Sequence, residues 1–330
     1  MTVDDLARAP DSLPPSDESA ESSLVEYLNS IARGDSSDVA TYFHEIGEPE
    51  LLGGTKTTCR THWLACDAMG RPRMNALAER LATHVIDYCI PREKIEEARE
   101  QFNKTRSPSS ILRLESEAKS LFSSLAKSGE GGELLLYFLL ETGLGIPQIL
   151  CKMPLKTNTN LMINGVDGVH AKALENGNIA VYWGESKVYD DFAGAASECF
   201  SSIAPYLLDE GGGALRQDLL IARNNLDAGA REMSLKLARF FTEDAPESLK
   251  LEMRGACLVA FTHDDFSPPF DADGSTVKAA VLAELKKWHS GVKSRLKFRK
   301  IESFHIEFFC LPIPSSEQFR TAIAKSLGID

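Results

Sequence analysis

The Asn-Gly pair at Asn176 and Gly177 is the feature that most limits how this chain can fold. Asn-Gly is a strong sequence signal for the tight turn of a β-hairpin. The run that follows, IAVYWGESKVY (residues 179–189), is rich in β-branched and aromatic residues and is typical of a strand. We therefore expect the segment before the turn to fold back antiparallel and to carry Asp167 beside Glu185.

Side chains on this strand alternate between two faces, so Glu185 and Lys187 project together while Ser186 points away. Val181 and Trp183 share the face of Glu185, which places the two charges at the end of an apolar stripe. One hairpin then presents an Asp, a Glu and a Lys at one spot. A solvated ion pair on an ordinary strand has the same spacing and contributes little to stability, so spacing alone leaves both interpretations open.

These residue types are the ones that metal-assisted cleavage of a phosphodiester needs. Mg²⁺ prefers hard oxygen ligands, and it neutralises charge on the phosphoryl oxygens and activates a water. Asp167 and Glu185 can supply carboxylates, and the backbone carbonyl of Ser186 is a candidate third ligand. Lys187 would then lie beside the ion, where it could stabilise the transition state or orient the nucleophile; a general-base role stays open.

The rest of the chain interleaves helical and strand-like segments, which predicts an α/β layer architecture. Helical periodicity predicts helices in SLVEYLNSIARG, at 73–89, 94–102 and 111–127, in ELLLYFLLET and in DFAGAASECFSSIAPYLLDE. Strands are predicted in TKTTCRTHWLACD, which also suits a sheet edge, and in TNLMING, ACLVAFTHDD and FHIEFFCLPI.

Composition suggests three regions. Residues 1–23 are predicted to be a disordered acidic tail. The glycine-rich KSGEGGE is the best candidate for a boundary, and it separates a mainly helical N-terminal region (24–128) from a second domain (129–330).

The overall composition excludes several classes of protein. No apolar run reaches the ~18 residues of a membrane helix, and no secretory signal opens the chain. Seven scattered cysteines without a CxxC pair indicate a reducing cytoplasm and argue against a structural zinc site. There is no phosphate-binding GxxxxGK[ST] loop, so the chain lacks ATPase machinery of its own. The net charge of −12 implies that any contact with nucleic acid is local or shared with a partner.

The order of the charged residues resembles a known nuclease motif. Glu133 opens a helix, Asp167 lies at a strand end, and Glu185-Ser186-Lys187 lies on the next strand. This arrangement resembles the PD-(D/E)xK nucleases of restriction-endonuclease fold, although Val166 replaces the proline that names the motif.

Longer segments are similar to one family. ETGLGIPQILCKMPLKTNTNLMINGVDGVHA, YWGESKVY and FFCLPIPSSEQF together resemble the HamA family, the nuclease subunit of Hachiman anti-phage defence systems. The similarity extends from about Glu133 to the C-terminus. It implies a restriction-endonuclease-like core, a mixed sheet flanked by helices, that cleaves DNA and is held in check by a HamB-like partner helicase.

The resemblance also implies roles for individual residues. Asp167, Glu185, Lys187 and Glu133 match the catalytic positions, and Asp167, Glu185, Glu133 and Ser186 would hold Mg²⁺ or, in its place, Mn²⁺. Glu141, eight residues beyond Glu133 on the same helix, competes for the helix-borne carboxylate. A non-catalytic DNA-binding or regulatory subunit of the same fold is the alternative function, and RNA is an alternative substrate.

Two further groups are candidates for nucleic-acid contacts. Gln148, Lys152 and Lys156 lie between the helix and the site, where they could touch substrate phosphates, although the two lysines are equally well explained as solvated loop charges. His170 is expected to form a local hydrogen bond rather than to take part in chemistry.

The strongly basic run is KKWHSGVKSRLKFRK, residues 286–300. Its cations could neutralise phosphates while Trp288 and Phe298 stack on bases, and an exposed charged helix is the competing interpretation. The predicted contacts are Lys293, Arg295, Lys297 and Arg299.

Overall fold

The computed structural model describes residues 17–123, 129–156, 166–208, 220–266 and 275–329. Helices and strands are interleaved along these ranges, and the strands form a mixed sheet flanked by helices. The predicted α/β class is therefore confirmed.

The N-terminal part consists mainly of helices. They are α1 (Asp17–Ser30), α2 (Ser36–Tyr42), α3 (Met74–Thr83), α4 (Val85–Cys89), α5 (Arg92–Thr105) and α6 (Ser109–Ser123), accompanied by strands β1 (Phe43–Glu45), β2 (Glu50–Leu51) and β3 (Thr57–Leu64).

The C-terminal part begins with α7 (Glu130–Phe138), which continues as a π-helical turn (Leu139–Gly143). Its strands are β4 (Gln148–Leu150), β5 (Gly168–Ala173), β6 (Ile179–Tyr189), β7 (Leu251–Thr262) and β8 (Ile306–Ile313). Its helices are α8 (Met153–Lys156), α9 (Phe192–Leu208), α10 (Arg231–Phe240), α11 (Ser275–Arg299) and α12 (Ser316–Leu327), with short 3-10 turns at Pro246–Lys250 and Asp264–Phe266.

Two predictions about the N-terminal helices need correction. Helix α1 begins at Asp17, so residues 17–23 are helical rather than part of a disordered tail, and residues 1–16 lie outside the described ranges. The helix predicted over 73–89 is broken at His84, which lets α3 pack on α12 while α4 packs on α6 and α7.

The strand predicted in TNLMING (159–165) lies outside the described residues. The strand that does pair with β6 is β5, which begins immediately after Asp167. Strand β3 is not an edge, because it lies between β1 and β8.

The sheet has the order β1-β3-β8-β7-β6-β5-β4, with β2 also paired to β3. The central pairs β3–β8, β8–β7 and β7–β6 are parallel, whereas β5 and β4 continue the sheet antiparallel. Parallel neighbours need a crossover connection. The connection from β6 to β7 contains α9 and α10, and the connection from β7 to β8 contains α11. Because β3 pairs with β8, the two regions predicted on either side of residue 128 contribute to one sheet.

Burial of apolar side chains on the sheet and its helices stabilises this arrangement. One large cluster joins α3, α4, α7, α9 and α11 to the central strands, and it includes Phe138, Phe200 and Phe308. A second cluster, around Trp183 and Leu28, joins α1 and α10 to β4 and β5. Helix α7 and the β5–β6 hairpin are therefore held by packing on several sides, which gives a rigid base for polar groups.

Candidate active site at the edge of strand β6

The predicted hairpin is present. Strands β5 and β6 are antiparallel, with Gly168 opposite Gly184, and Gly177 in the turn has a φ of 81°. Asp167 extends this register by one residue, since its backbone N–H donates to the carbonyl of Gly184 at 2.7 Å. The turn thus brings Asp167 next to Glu185, as the sequence predicts.

The second half of β6 has one open edge. β5 pairs with β6 only as far as Gly184, while β7 continues to pair with residues 185–189 on the opposite side. In the described part of the chain no strand pairs with the other edge of residues 185–189. Backbone groups at this open edge are thus available to side chains or to a ligand.

Ser186 occupies the open edge and holds Asp167. Its backbone N–H and its hydroxyl each donate a hydrogen bond of 2.7 Å to Oδ2 of Asp167. Ser186 does project to the face opposite Glu185, towards α7, as alternation predicts. The expectation that it lends only its carbonyl was wrong, because Asp167 turns towards the strand edge at the end of β5 and accepts from the Ser186 hydroxyl. The N–H and C=O of one strand residue point to the same side, so the Ser186 carbonyl also lies on the side of Asp167.

Glu185 and Lys187 form a close ion pair, with 2.6 Å between Oε1 and Nζ. Glu185 is buried, and burial raises the pKa of its carboxyl, while Lys187 and a hydrogen bond from Ser202 on α9 act in the opposite direction. Burial disfavours the charged form of Lys187, but the Glu185 carboxylate outweighs it and raises the pKa of the ammonium. Lys187 is therefore protonated at neutral pH.

Carboxylates crowd around Asp167. Burial raises the pKa of its carboxyl well above the usual value, and Glu133 and then Glu185 raise it further by repulsion. Lys152 and the hydrogen bonds from Ser186 oppose this rise. The chain thus concentrates negative charge where a cation would be stabilised.

Glu133 lies in the first turn of α7 and is buried, but the helix begins three residues earlier than predicted, at Glu130. The hydroxyl of Tyr88, on α4, donates to its Oε2 at 2.7 Å. Tyr88 is a site residue that sequence reasoning missed, because it lies 45 residues upstream in a different helix and carries no motif.

Glu141, the competitor of Glu133, belongs to a different network. Within the π-helical turn it accepts hydrogen bonds from Arg92 Nη2 (2.9 Å), the backbone N–H of Gln148 (2.9 Å) and the backbone N–H of Arg33 (3.1 Å). Glu133, and not Glu141, is among the charges that raise the pKa of Asp167.

The candidate site lies within a region that matches a known protein family. The HamA family model matches residues 41–327, which is most of the 330-residue chain. The chain belongs to the HamA family. No curated protein and no solved structure matches it significantly. Membership suggests a role in anti-phage defence.

In this HamA family member the match begins at residue 41, well before Glu133. It therefore includes α3 to α6, which precede the segments that resemble the family in sequence. The match also includes Tyr88, so the tyrosine and Glu133 lie within one family region.

Of the three nucleic-acid contacts predicted near the site, Gln148 and Lys152 are buried. Gln148 on β4 is buried, and within the described ranges its Nε2 has no hydrogen-bond partner. Lys152 is buried too and lowers the pKa of both Asp167 and Glu185, so it is not a solvated loop charge. The side chain of Lys156 lies outside the described part. These two buried side chains need a structural change, or a ligand that enters the site, before they touch a phosphate.

The basic run lies on the C-terminal half of α11. Arg295 is tied to the fold, since its guanidinium donates to the carbonyls of Gly291 and Ala193. Trp288 is buried against aromatic residues and is not available for stacking on a base, whereas Phe298 is 78% exposed. The remaining predicted contacts, Lys293, Lys297 and Arg299, lie on the same helix.

His170 forms the local hydrogen bond that was expected. Its Nδ1 donates to the carbonyl of Ile146 at 2.9 Å, and burial lowers its pKa to about 4. It is therefore a neutral structural histidine at physiological pH.

The oxygen atoms at the site are of the kind that a hard divalent cation prefers as ligands. Asp167 immediately precedes β5, Glu185 lies on the adjoining strand β6, and the Ser186 carbonyl lies at the open edge between them. Burial, and then repulsion from Glu133 and Glu185, raises the pKa of Asp167. Within the described residues, however, no three His, Cys, Asp or Glu side chains are arranged to hold a metal. The carboxylates are engaged by hydrogen bonds and ion pairs instead, and a metal would have to compete with these.

No helix in the described ranges is long and apolar enough to cross a membrane.

Proposed function

We propose that this protein is a metal-dependent deoxyribonuclease, the effector of an anti-phage defence complex that a HamB-like helicase releases or activates. The observation that carries the proposal is the pairing of Asp167 with Ser186 at the open edge of β6, beside the Glu185–Lys187 ion pair. Family membership supports the defence role.

Each residue of the site would have a separate role in cleavage. Asp167 and Glu185 would hold Mg²⁺ or Mn²⁺, with the Ser186 carbonyl and Glu133 as further oxygen donors. When bound, the cation neutralises charge on the phosphoryl oxygens and activates a water. Lys187 would direct its ammonium at the negative charge that develops on the phosphate. Ser186 keeps the Asp167 carboxylate in place.

The charge of the chain supports a need for a partner. A net charge of −12 repels a polyanion, so the isolated subunit should bind DNA weakly. A helicase that delivers or exposes DNA would then control where and when cleavage occurs.

The test is plasmid degradation by the full-length chain, alone and with its helicase, in Mg²⁺ or in EDTA. Wild type should cut in Mg²⁺ only, and Glu185→Ala and Lys187→Ala should each lower the rate by at least about 100-fold, as expected for groups that act at the transition state. Cleavage that survives both substitutions would refute the site. Tight DNA binding without the helicase would refute the proposed control.

A second function, a non-catalytic DNA-binding or regulatory subunit, is favoured by one observation. Asp167, Glu185 and Glu133 already have protein partners, and the described residues contain no preformed metal cluster. Calorimetric titration with Mg²⁺ separates the two functions: an enzyme should bind the ion and lose binding in Asp167→Asn, whereas a non-catalytic subunit should show no heat in either protein.

A further inference from the structure

Arg320, on the C-terminal helix α12, lies against the open edge of β6. Its Nη2 donates a hydrogen bond to the carbonyl of Val188 at 2.5 Å. Val188 is two residues beyond Ser186, so the backbone polar groups of both residues point to the same edge, about 7 Å apart along the strand. The guanidinium is therefore on the side of the sheet edge where Ser186 holds Asp167.

A cavity of about 330 Å³ opens beside this edge. Ser186 and Lys187 line it from β6, Arg320 lines it from α12, and the glycine-rich first turn of α7 closes another side. A Cβ on Gly132 would come within 2.9 Å of Val188 Cγ2 and 3.0 Å of Ser186 Oγ, so glycine is what lets α7 approach the strand so closely. The cavity is thus bounded by the candidate catalytic strand and by rigid elements.

Most N–H donors of the Arg320 guanidinium are not used within the described ranges. A guanidinium carries five N–H donors, and within the described ranges Arg320 makes one hydrogen bond, to Val188. Its side chain is exposed. Hydrogen bonds from Ser316 and Thr262 lower the pKa of the exposed Asp190 carboxylate, and the charge of Arg320 lowers it further, but in the described part of the chain that carboxylate accepts no hydrogen bond from Arg320. Arginine is suited to phosphate, because its planar fork matches two phosphoryl oxygens.

We propose that Arg320 and this cavity bind a phosphate of the nucleic-acid strand, adjacent to the phosphate that is cleaved at Asp167 and Glu185. The proposal rests on the proposed nuclease function for the identity of the strand. It adds a substrate-binding residue outside the motif, on the last helix of the chain. Arg320 would set the register of the strand, and Lys187 would act on the neighbouring phosphate.

The test compares Arg320→Gln with Lys325→Gln in the full-length chain. Lys325 is an exposed cation on the same helix that does not line the cavity, so it controls for the loss of one charge. Binding of a fluorescein-labelled 20-base-pair DNA duplex is measured by anisotropy at several salt concentrations in EDTA, where no turnover occurs. Arg320→Gln should weaken binding by about 3- to 10-fold and make the log–log salt slope less negative by about 0.9. Lys325→Gln should change neither.

Kinetics of Arg320→Gln and DNA binding by Arg320→Lys test the role of this arginine further. In Mg²⁺, Arg320→Gln should raise KM with a change in kcat of less than about 2-fold, because the residue binds a non-reacting phosphate. Arg320→Lys retains the charge and should keep the wild-type salt slope, which separates lost charge from any damage to the strand edge.

The possible failures are distinguishable. If wild type binds the duplex through Arg320 but never cuts, the nuclease proposal fails and this binding site stands. If wild type cuts and Arg320→Gln behaves like Lys325→Gln, this inference alone is overturned. If wild type shows no binding of the duplex at any salt concentration, the inference is also overturned.

Discussion

The hydroxyl of Tyr88 donates a 2.7 Å hydrogen bond to the carboxylate of Glu133, and both side chains are buried. The tyrosine comes from α4 in the N-terminal half of the chain, whereas the glutamate lies in the first turn of α7, the helix that packs beside the candidate active site. A residue far from the nuclease-like motif therefore orients one of its carboxylates. Groups that orient catalytic ligands are often nearly as important as the ligands themselves.

Tyr88→Phe removes this hydrogen bond while it preserves the packing of the ring. We expect DNA cleavage to fall by about 10- to 100-fold, with a higher Mg²⁺ concentration needed for half-maximal rate. Tyr137→Phe is the matched control, because Tyr137 is also buried and its hydroxyl makes no hydrogen bond within the described ranges. Equal losses in the two variants would show that Tyr88 only contributes to packing.

Asp167→Asn should abolish cleavage and stabilise the fold. Burial and the neighbouring carboxylates raise the pKa of Asp167 in the folded state, so its ionisation is less favourable there than in the unfolded chain. Below the pKa that Asp167 has in the unfolded chain, the carboxyl is protonated in both states and the folded protein keeps its full stability. As the pH rises from there through the higher pKa of the folded state, the free energy of unfolding falls. At pH 7 the asparagine variant should therefore gain on the order of 1 kcal/mol in the free energy of unfolding.

Urea denaturation in EDTA at pH 7 and at pH 4 measures this gain. The difference between variant and wild type should shrink at the lower pH, because wild-type Asp167 is then protonated more readily. A variant that is less stable than wild type at pH 7 would show that the hydrogen bonds from Ser186 outweigh the repulsion.

Glu141→Ala should destabilise the protein by about 3–5 kcal/mol, because it leaves Arg92 and two backbone N–H groups without their buried acceptor. The control is Glu115→Ala, which removes an exposed ion pair to Lys119 and should change stability by less than about 0.5 kcal/mol. Urea midpoints measure both. A small effect of Glu141→Ala, with a specific loss of cleavage, would instead make Glu141 the helix-borne carboxylate of the site.

Replacing Lys293, Lys297 and Arg299 by glutamine tests the basic run on α11. If this helix tracks DNA, the triple variant should bind duplex more weakly and its log–log salt slope should become less negative by about 2–3. A second triple variant, with Lys94, Lys104 and Lys119 changed to glutamine on α5 and α6, removes the same charge elsewhere. Similar effects in both would mean that only net charge matters.

The local pattern predicted the hairpin well. The Asn176-Gly177 turn and the period-two strand placed Asp167 next to Glu185, and both observations depend on neighbours in sequence. The strands β7 and β8 and the helix α9 were predicted for the same reason, since long apolar runs have few alternative structures. The behaviour of Ser186 was not predicted, because the alternation of faces says nothing about a side chain that turns at the end of the neighbouring strand.

By itself, the sequence determined that helices and strands are interleaved, that β5 pairs with β6, and to which family the chain belongs. Those features depend on short-range periodicity, turn residues and matched segments. Only the tertiary structure decided that Tyr88 binds Glu133, that Lys152 is buried among the carboxylates, and that Arg320 meets the open edge of β6. The physical reason is that these contacts join residues from distant helices, and packing of the whole core, rather than any local pattern, determines which of them meet.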